Sequence, residues 1–133
     1  MDDKKEQGKG SIRVLIVDDE AGFLRVIEKR MRKRGLAVTS ANSGSEAIGI
    51  LRKQDFDVAI VDLKMEDMDG IEVLKIFKKM VPGLPVIMLT GHGSGEAARE
   101  GIRQGAYDYL TKPCDLSELI DKIKEASAQG EKP

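Results

Sequence analysis

The feature that most constrains this chain is a strict alternation of short apolar runs with helix-periodic segments, repeated five times. Ile12–Val17 is an apolar run of strand length, broken only by Arg13. Phe23, Leu24, Ile27 and Met31 follow at helical spacing, and Gly35 ends that helix. Leu36–Ala41 reads as a weaker second strand. Ser43 to Lys53 reads as a second helix with Ala47, Ile48 and Leu51 on one face, and Ser43 with Glu46 forms a capping box at its start. Val58–Val61 is a short third strand, followed by a helix from about Gly70 to Met80 carrying Ile71, Leu74 and Phe77. Pro82 and Pro85 punctuate the next loop before the buried strand Val86–Leu89. Ser94–Arg103 makes a poor helix, because Gly95 and Gly101 each cost about 1 kcal/mol relative to Ala. Ala106–Leu110 is the fifth strand. Asp115 and Glu118 open a last helix whose Leu116, Leu119, Ile120 and Ile123 fall at i, i+3, i+4 and i+7.

Strands that are short and apolar throughout are buried on both faces, which requires helices on both sides of a parallel sheet. With right-handed crossovers, the expected fold is an α/β doubly wound (βα)5 sandwich around a five-stranded parallel sheet. The 133 residues suffice for one domain. Residues 11–126 carry the pattern, and residues 1–10 and 127–133 read as tails. The balance of 22 Lys+Arg against 23 Asp+Glu argues against a domain that binds nucleic acid through its phosphates. Aromatics at 4%, with no Trp, disfavour a stacking platform for single strands. No apolar run approaches the roughly 20 residues of a membrane span. The opening MDDKKEQGKG lacks the apolar core of a secretory signal, and the single cysteine excludes an internal disulfide. A cytoplasmic protein without direct nucleic-acid or membrane contact is the expectation.

In sheets of this kind ligands bind outside the carboxyl ends of the strands. Asp18, Asp19 and Glu20 follow the first strand, and Asp62 ends the third. Thr90 and Gly91 follow the fourth, Lys112 and Pro113 the fifth. If strands one and three are neighbours, Asp18, Asp19 and Asp62 share one cleft, with Thr90 and Lys112 on its other side. Three carboxylates so placed repel one another, and a hard divalent cation such as Mg²⁺ relieves the conflict. A neighbouring carboxylate is then a nucleophile toward phosphorus. The Lys112 ammonium, the Thr90 hydroxyl and a loop N–H could neutralise the remaining phosphoryl oxygens, with Gly91 leaving room beside them.

The stretches VLIVDDE, VDLKMEDMDG, VIMLTGHG and GAYDYLTKPCDLSEL, in this order, resemble the bacterial response-regulator receiver domain over about Arg13 to Ala126. The resemblance implies a flavodoxin-like sheet in the order 2-1-3-4-5. It also implies a phosphorylation-activated switch of a two-component system. Asp62 would be the phosphoacceptor. Asp19 would bind Mg²⁺ directly and Asp18 mainly through water, with the Lys64 backbone carbonyl completing the protein's share; Mn²⁺ could substitute. Thr90, Gly91 and Lys112 would stabilise the phosphoryl group, and a cis Lys112–Pro113 bond would aim the ammonium. Thr90 and Tyr109 would form the switch pair, with Tyr107 a competing aromatic. The implied partners are a sensor histidine kinase or histidine phosphotransfer protein and a downstream protein target. Dimerisation upon phosphorylation would use the face formed by the fourth helix, fifth strand and fifth helix. The domain would be no enzyme beyond its own phosphotransfer and dephosphorylation. Both a stand-alone receiver and a piece of a longer regulator fit.

One departure stands out: Glu66 occupies a position where the family usually has Pro, so a looser loop and an extra charge near the metal are expected. Lys64 and His92 flank the phosphoryl site and could tune hydrolysis. Lys29, Arg30, Arg32, Lys33 and Arg34 end the first helix; they suit the negative end of its dipole, and in the family this helix meets the kinase. The weak fourth helix is expected to be the least stable element. Three rivals stand against the switch. A flavin carrier would meet repulsion between its phosphate and Asp18–Asp19–Glu20. A phosphatase of related fold carries its nucleophile on the first strand. A pseudo-receiver would lack part of the Asp/Asp/Asp/Thr/Lys set.

Overall fold

The computed structural model describes residues 10–91 and 95–130. Five strands, β1 (Arg13–Val17), β2 (Ala37–Ala41), β3 (Val58–Asp62), β4 (Val86–Thr90) and β5 (Asp108–Thr111), alternate with five helices. The helices are α1 (Ala21–Lys33), α2 (Gly44–Lys53), α3 (Gly70–Met80), α4 (Gly95–Arg103) and α5 (Leu116–Gly130). The strands form one parallel sheet in the order β2-β1-β3-β4-β5. β1 and β3 are therefore adjacent, with Val14 opposite Val58 and Val17 opposite Val61.

Period-two alternation divides the core into two layers. Val14, Ile16, Val58, Ile60, Ile87 and Leu89 pack with Leu24, Met31, Leu119 and Ile123 of α1 and α5. Leu15, Val17, Ala59, Val61 and Met88 pack with Ala47, Leu51, Leu74 and Phe77 of α2 and α3. All five residues of β3 and of β4 are buried, which accounts for their unbroken apolar runs.

Local chemistry sets the element ends. After α1, Gly35 takes φ +90°, while its N–H donates to Arg32 and the Leu36 N–H reaches back to Met31. This paired closure satisfies the last carbonyls and needs a left-handed residue. At α2 the Ser43 hydroxyl accepts from the Glu46 N–H, but the Glu46 carboxylate reaches one residue further back than a capping box, to the Asn42 N–H. At α3 the Asp69 carboxylate accepts from Ile71.

Two boundaries differ from the sequence reading by more than one residue. β5 begins at Asp108 and not at Ala106, because the Ala106 N–H is spent closing α4 onto Gly101. The last helix continues past Ser127 to Gly130. Ala126 and Ser127 are both buried there, extending the stripe of Leu119 and Ile123 by a further turn. Residues 1–9 and 131–133 of the expected tails lie outside the described residues.

Candidate functional site

The site is assembled by strand ends. Asp18 and Asp62 continue the alternation of Val14 and Ile16 and of Val58 and Ile60, so adjacency of β1 and β3 brings them together. Ligand oxygens of Asp18, Asp19 and Asp62 all lie within 4.8 Å of one another. Asp18 is fully buried and Asp62 nearly so. Asp18 Oδ1 accepts from the Glu20 N–H at 3.0 Å, and Asp19 Oδ2 accepts from the Glu66 N–H at 2.9 Å.

The loop between β3 and α3 closes on itself at Gly70. Its N–H donates to Leu63 at 3.0 Å, and a Cβ there would lie 2.4 Å from the Asp62 carbonyl oxygen. Only glycine permits that approach, which fixes the end of β3 where Asp62 sits.

Burial and the neighbouring Asp18 push the Asp62 carboxyl up to about 6, with Asp19 adding to the rise; Lys112 and a hydrogen bond from the Lys64 backbone oppose it. Lys112 Nζ donates to Asp18 Oδ2 at 2.7 Å and to Glu20 Oε1 at 3.0 Å, and lies 3.7 Å from Asp62 Oδ2. The ammonium also sits 4.6 Å from the centroid of the Phe23 ring. Burial works against its charge, but the bonds to Asp18 and Glu20 outweigh burial and raise its pKa. The Lys112–Pro113 peptide bond is cis. The donor set suits a hard divalent cation: three carboxylates, all oxygen, one of them held in a high-energy charged state.

Thr90 ends β4, is buried, and its hydroxyl donates to the Leu110 carbonyl at 3.5 Å. Tyr109 on β5 is 37% exposed. The competing Tyr107 is tied down, its hydroxyl donating to Glu125 at 2.6 Å. Gly91 is exposed, and a Cβ added to it would meet nothing within 4 Å. Lys64 and Glu66 are exposed beside the cluster, and His92 lies outside the described residues.

Residues 14–124 match the family described as response regulator receiver domain. The chain belongs to this family. It is 39% identical over 117 residues to the transcriptional regulatory protein GlrR of Escherichia coli K12, covering 88% of this chain and 26% of that protein. It is 38% identical over 118 residues to the transcriptional regulatory protein ZraR of the same strain, covering 89% and 27%. The receiver thus spans about a quarter of the length of these curated relatives. Among solved structures, a CheY-like receiver domain protein from Methanospirillum hungatei superposes with a TM-score of 0.87 at 33% identity, over 92% of this chain and 98% of that one. The receiver domain of Francisella response regulator 1452 gives 0.84 at 33%, over 91% and 100%.

The receiver gathers Asp18, Asp19 and Asp62, with Lys112 on Asp18 and Asp62 and Thr90 at the adjoining strand end. Three participants escaped sequence reasoning. Glu20 was visible only as a third acid after β1, yet it shares Lys112 with Asp18. Phe23 read as a core residue and also lies beneath the ammonium. Asp67, two residues before the α3 cap, accepts from Gly44 and Ser45 at the start of α2. Among the described residues no helix is long and apolar enough to cross a membrane.

Proposed function

We propose that this receiver is a phosphorylation-activated switch in which Asp62 accepts a phosphoryl group from a sensor histidine kinase or histidine phosphotransfer protein. The observation that carries the reading is the cluster itself: three carboxylates within 4.8 Å of one another, with the Lys112 ammonium reaching both Asp18 and Asp62. Asp18, Asp19, Asp62 and the Lys64 carbonyl would hold Mg²⁺, or Mn²⁺ in its place. The cation supplies charge neutralisation for Asp62 and for one phosphoryl oxygen.

An Asp62 carboxylate oxygen attacks phosphorus in line with the phosphohistidine nitrogen. The P–O bond forms as the P–N bond breaks, and the imidazole keeps the electron pair and takes a proton from water. At neutral pH a carboxyl with a pKa of about 6 is mostly ionised, so the nucleophile is ready. Lys112 neutralises a second phosphoryl oxygen and the Thr90 hydroxyl a third. Tyr109, partly exposed on β5, turns inward as Thr90 moves to the phosphoryl group, and the α4–β5–α5 face changes shape for a protein target or a second copy. Hydrolysis by water then resets the switch. The exposed basic end of α1 is the surface offered to the phosphodonor.

The test is intact mass after incubation with acetyl phosphate. One phosphoryl adduct is expected on wild type with Mg²⁺, and none without the metal or in Asp62→Asn. An adduct of equal yield in Asp62→Asn overturns the reading.

A further inference from the structure

The loop between β3 and α3 is tied at two points that are not neighbours in sequence. The Glu66 N–H donates to Asp19 Oδ2 at 2.9 Å, across 47 residues of chain. The next residue, Asp67, grips the N-terminus of α2. Its Oδ1 accepts from the Gly44 N–H at 3.0 Å, and its Oδ2 accepts from the Ser45 N–H and hydroxyl, both at 3.1 Å. These amides hold the Asp67 carboxyl below its ordinary range. The grip is close: a Cβ at Gly44 would come within 2.9 Å of Met68. The loop forms one wall of an open cavity of about 580 Å³ beside Asp19.

We infer that Asp67 is a positioning residue for the metal site: by anchoring the loop to α2 it holds the Glu66 N–H on Asp19. Gripping one oxygen of Asp19 fixes the rotation of its carboxylate, and hence the place of the other oxygen. The N–H also offsets part of the repulsion among Asp18, Asp19 and Asp62 before a cation arrives. Partners that orient a ligating carboxylate in this way are worth roughly 10- to 100-fold in metal affinity. The inference rests on the reading of the cluster as a Mg²⁺ site.

Calorimetric titration of the full chain with Mg²⁺ tests it, with the thermal midpoint in EDTA recorded for each variant. Asp67→Ala and Glu66→Pro, which removes the N–H, should each raise the Mg²⁺ Kd about tenfold. Glu66→Ala, which keeps the N–H, should lose several-fold less than Glu66→Pro. Asp67→Asn should fall between wild type and Asp67→Ala, since its amide oxygen can still accept from one N–H. A role confined to capping α2 would lower the thermal midpoint and leave the Kd of the folded variants at the wild-type value, which overturns the inference. Equal losses in Glu66→Pro and Glu66→Ala also overturn it. Should Asp67→Ala not fold, Asp67→Asn and the two Glu66 variants decide. A wild type that takes up no Mg²⁺ removes the metal-site reading itself, and the positioning role with it.

Discussion

Neutralising Asp62 should make the metal-free protein more stable. In the fold this carboxyl is pushed from 3.8 up to about 6. One pKa unit corresponds to about 1.4 kcal/mol, so the ionised carboxylate costs about 3 kcal/mol above pH 6. Because the folded-state value is the higher one, the fold binds the proton more tightly than the unfolded chain does. Relative to Asp62→Asn, wild type in EDTA should therefore lose stability as pH rises from about 4 to about 6, with the difference level above that. Asp62→Asn keeps the shape and removes the charge. At pH 7.5 in EDTA it should be more stable by up to about 3 kcal/mol, which for a domain of this size is roughly 10 °C in Tm. At pH 4 the two proteins should differ far less, because wild type is then protonated. Added Mg²⁺ should stabilise wild type more than Asp62→Asn, closing the gap from the other side. Urea and thermal melts across this pH range measure all of it. An Asp62→Asn protein no more stable than wild type at pH 7.5 would show that the buried charge carries no such cost, as would a gain that persists unchanged at pH 4.

Three further outcomes are expected. Lys112→Met should slow phosphorylation by acetyl phosphate by at least about 100-fold, the usual loss when one charge-stabilising donor is removed; stopped phosphorylation reactions read by mass would show it. Gly70→Ala should destabilise the fold by about 3 kcal/mol in urea melts, since the new methyl meets the Asp62 carbonyl at 2.4 Å. Amides of α4 should exchange faster than those of β1 and β3, since α4 buries only Ala98 and Gly101; equal protection measured by hydrogen exchange would count against it.

The strand–helix alternation was legible because each element buries a face, and burial writes a period into the sequence. The sheet order was not. Periodicity alone leaves the neighbours of β1 open, and the order 2-1-3-4-5 came with the resemblance. Asp18, Asp62, Thr90 and Lys112 were legible as polar residues ending apolar strands. The contact between Lys112 and Glu20 was not, since the two lie 92 residues apart and Glu20 reads only as a third acid after the first strand. Glu66 shows the sharpest gap. The lack of the usual Pro suggested a looser loop, while the backbone N–H that Pro would not have ties that loop to Asp19, and nothing in the sequence shows where such a donor points. Ser127 read as the start of a tail because a polar residue in a buried stripe interrupts the pattern it belongs to. Ala106 fits a strand by type and serves a helix end by geometry.

Everything in the switch depends on Asp62 carrying the phosphoryl group. Borohydride reduction of the phosphorylated protein converts an aspartyl phosphate to homoserine, and peptide mass spectrometry then reads its position. Homoserine is expected at residue 62 alone, formed only when Mg²⁺ was present during phosphorylation. Homoserine at residue 18 or 19, or a stable adduct on a serine or threonine, would contradict it.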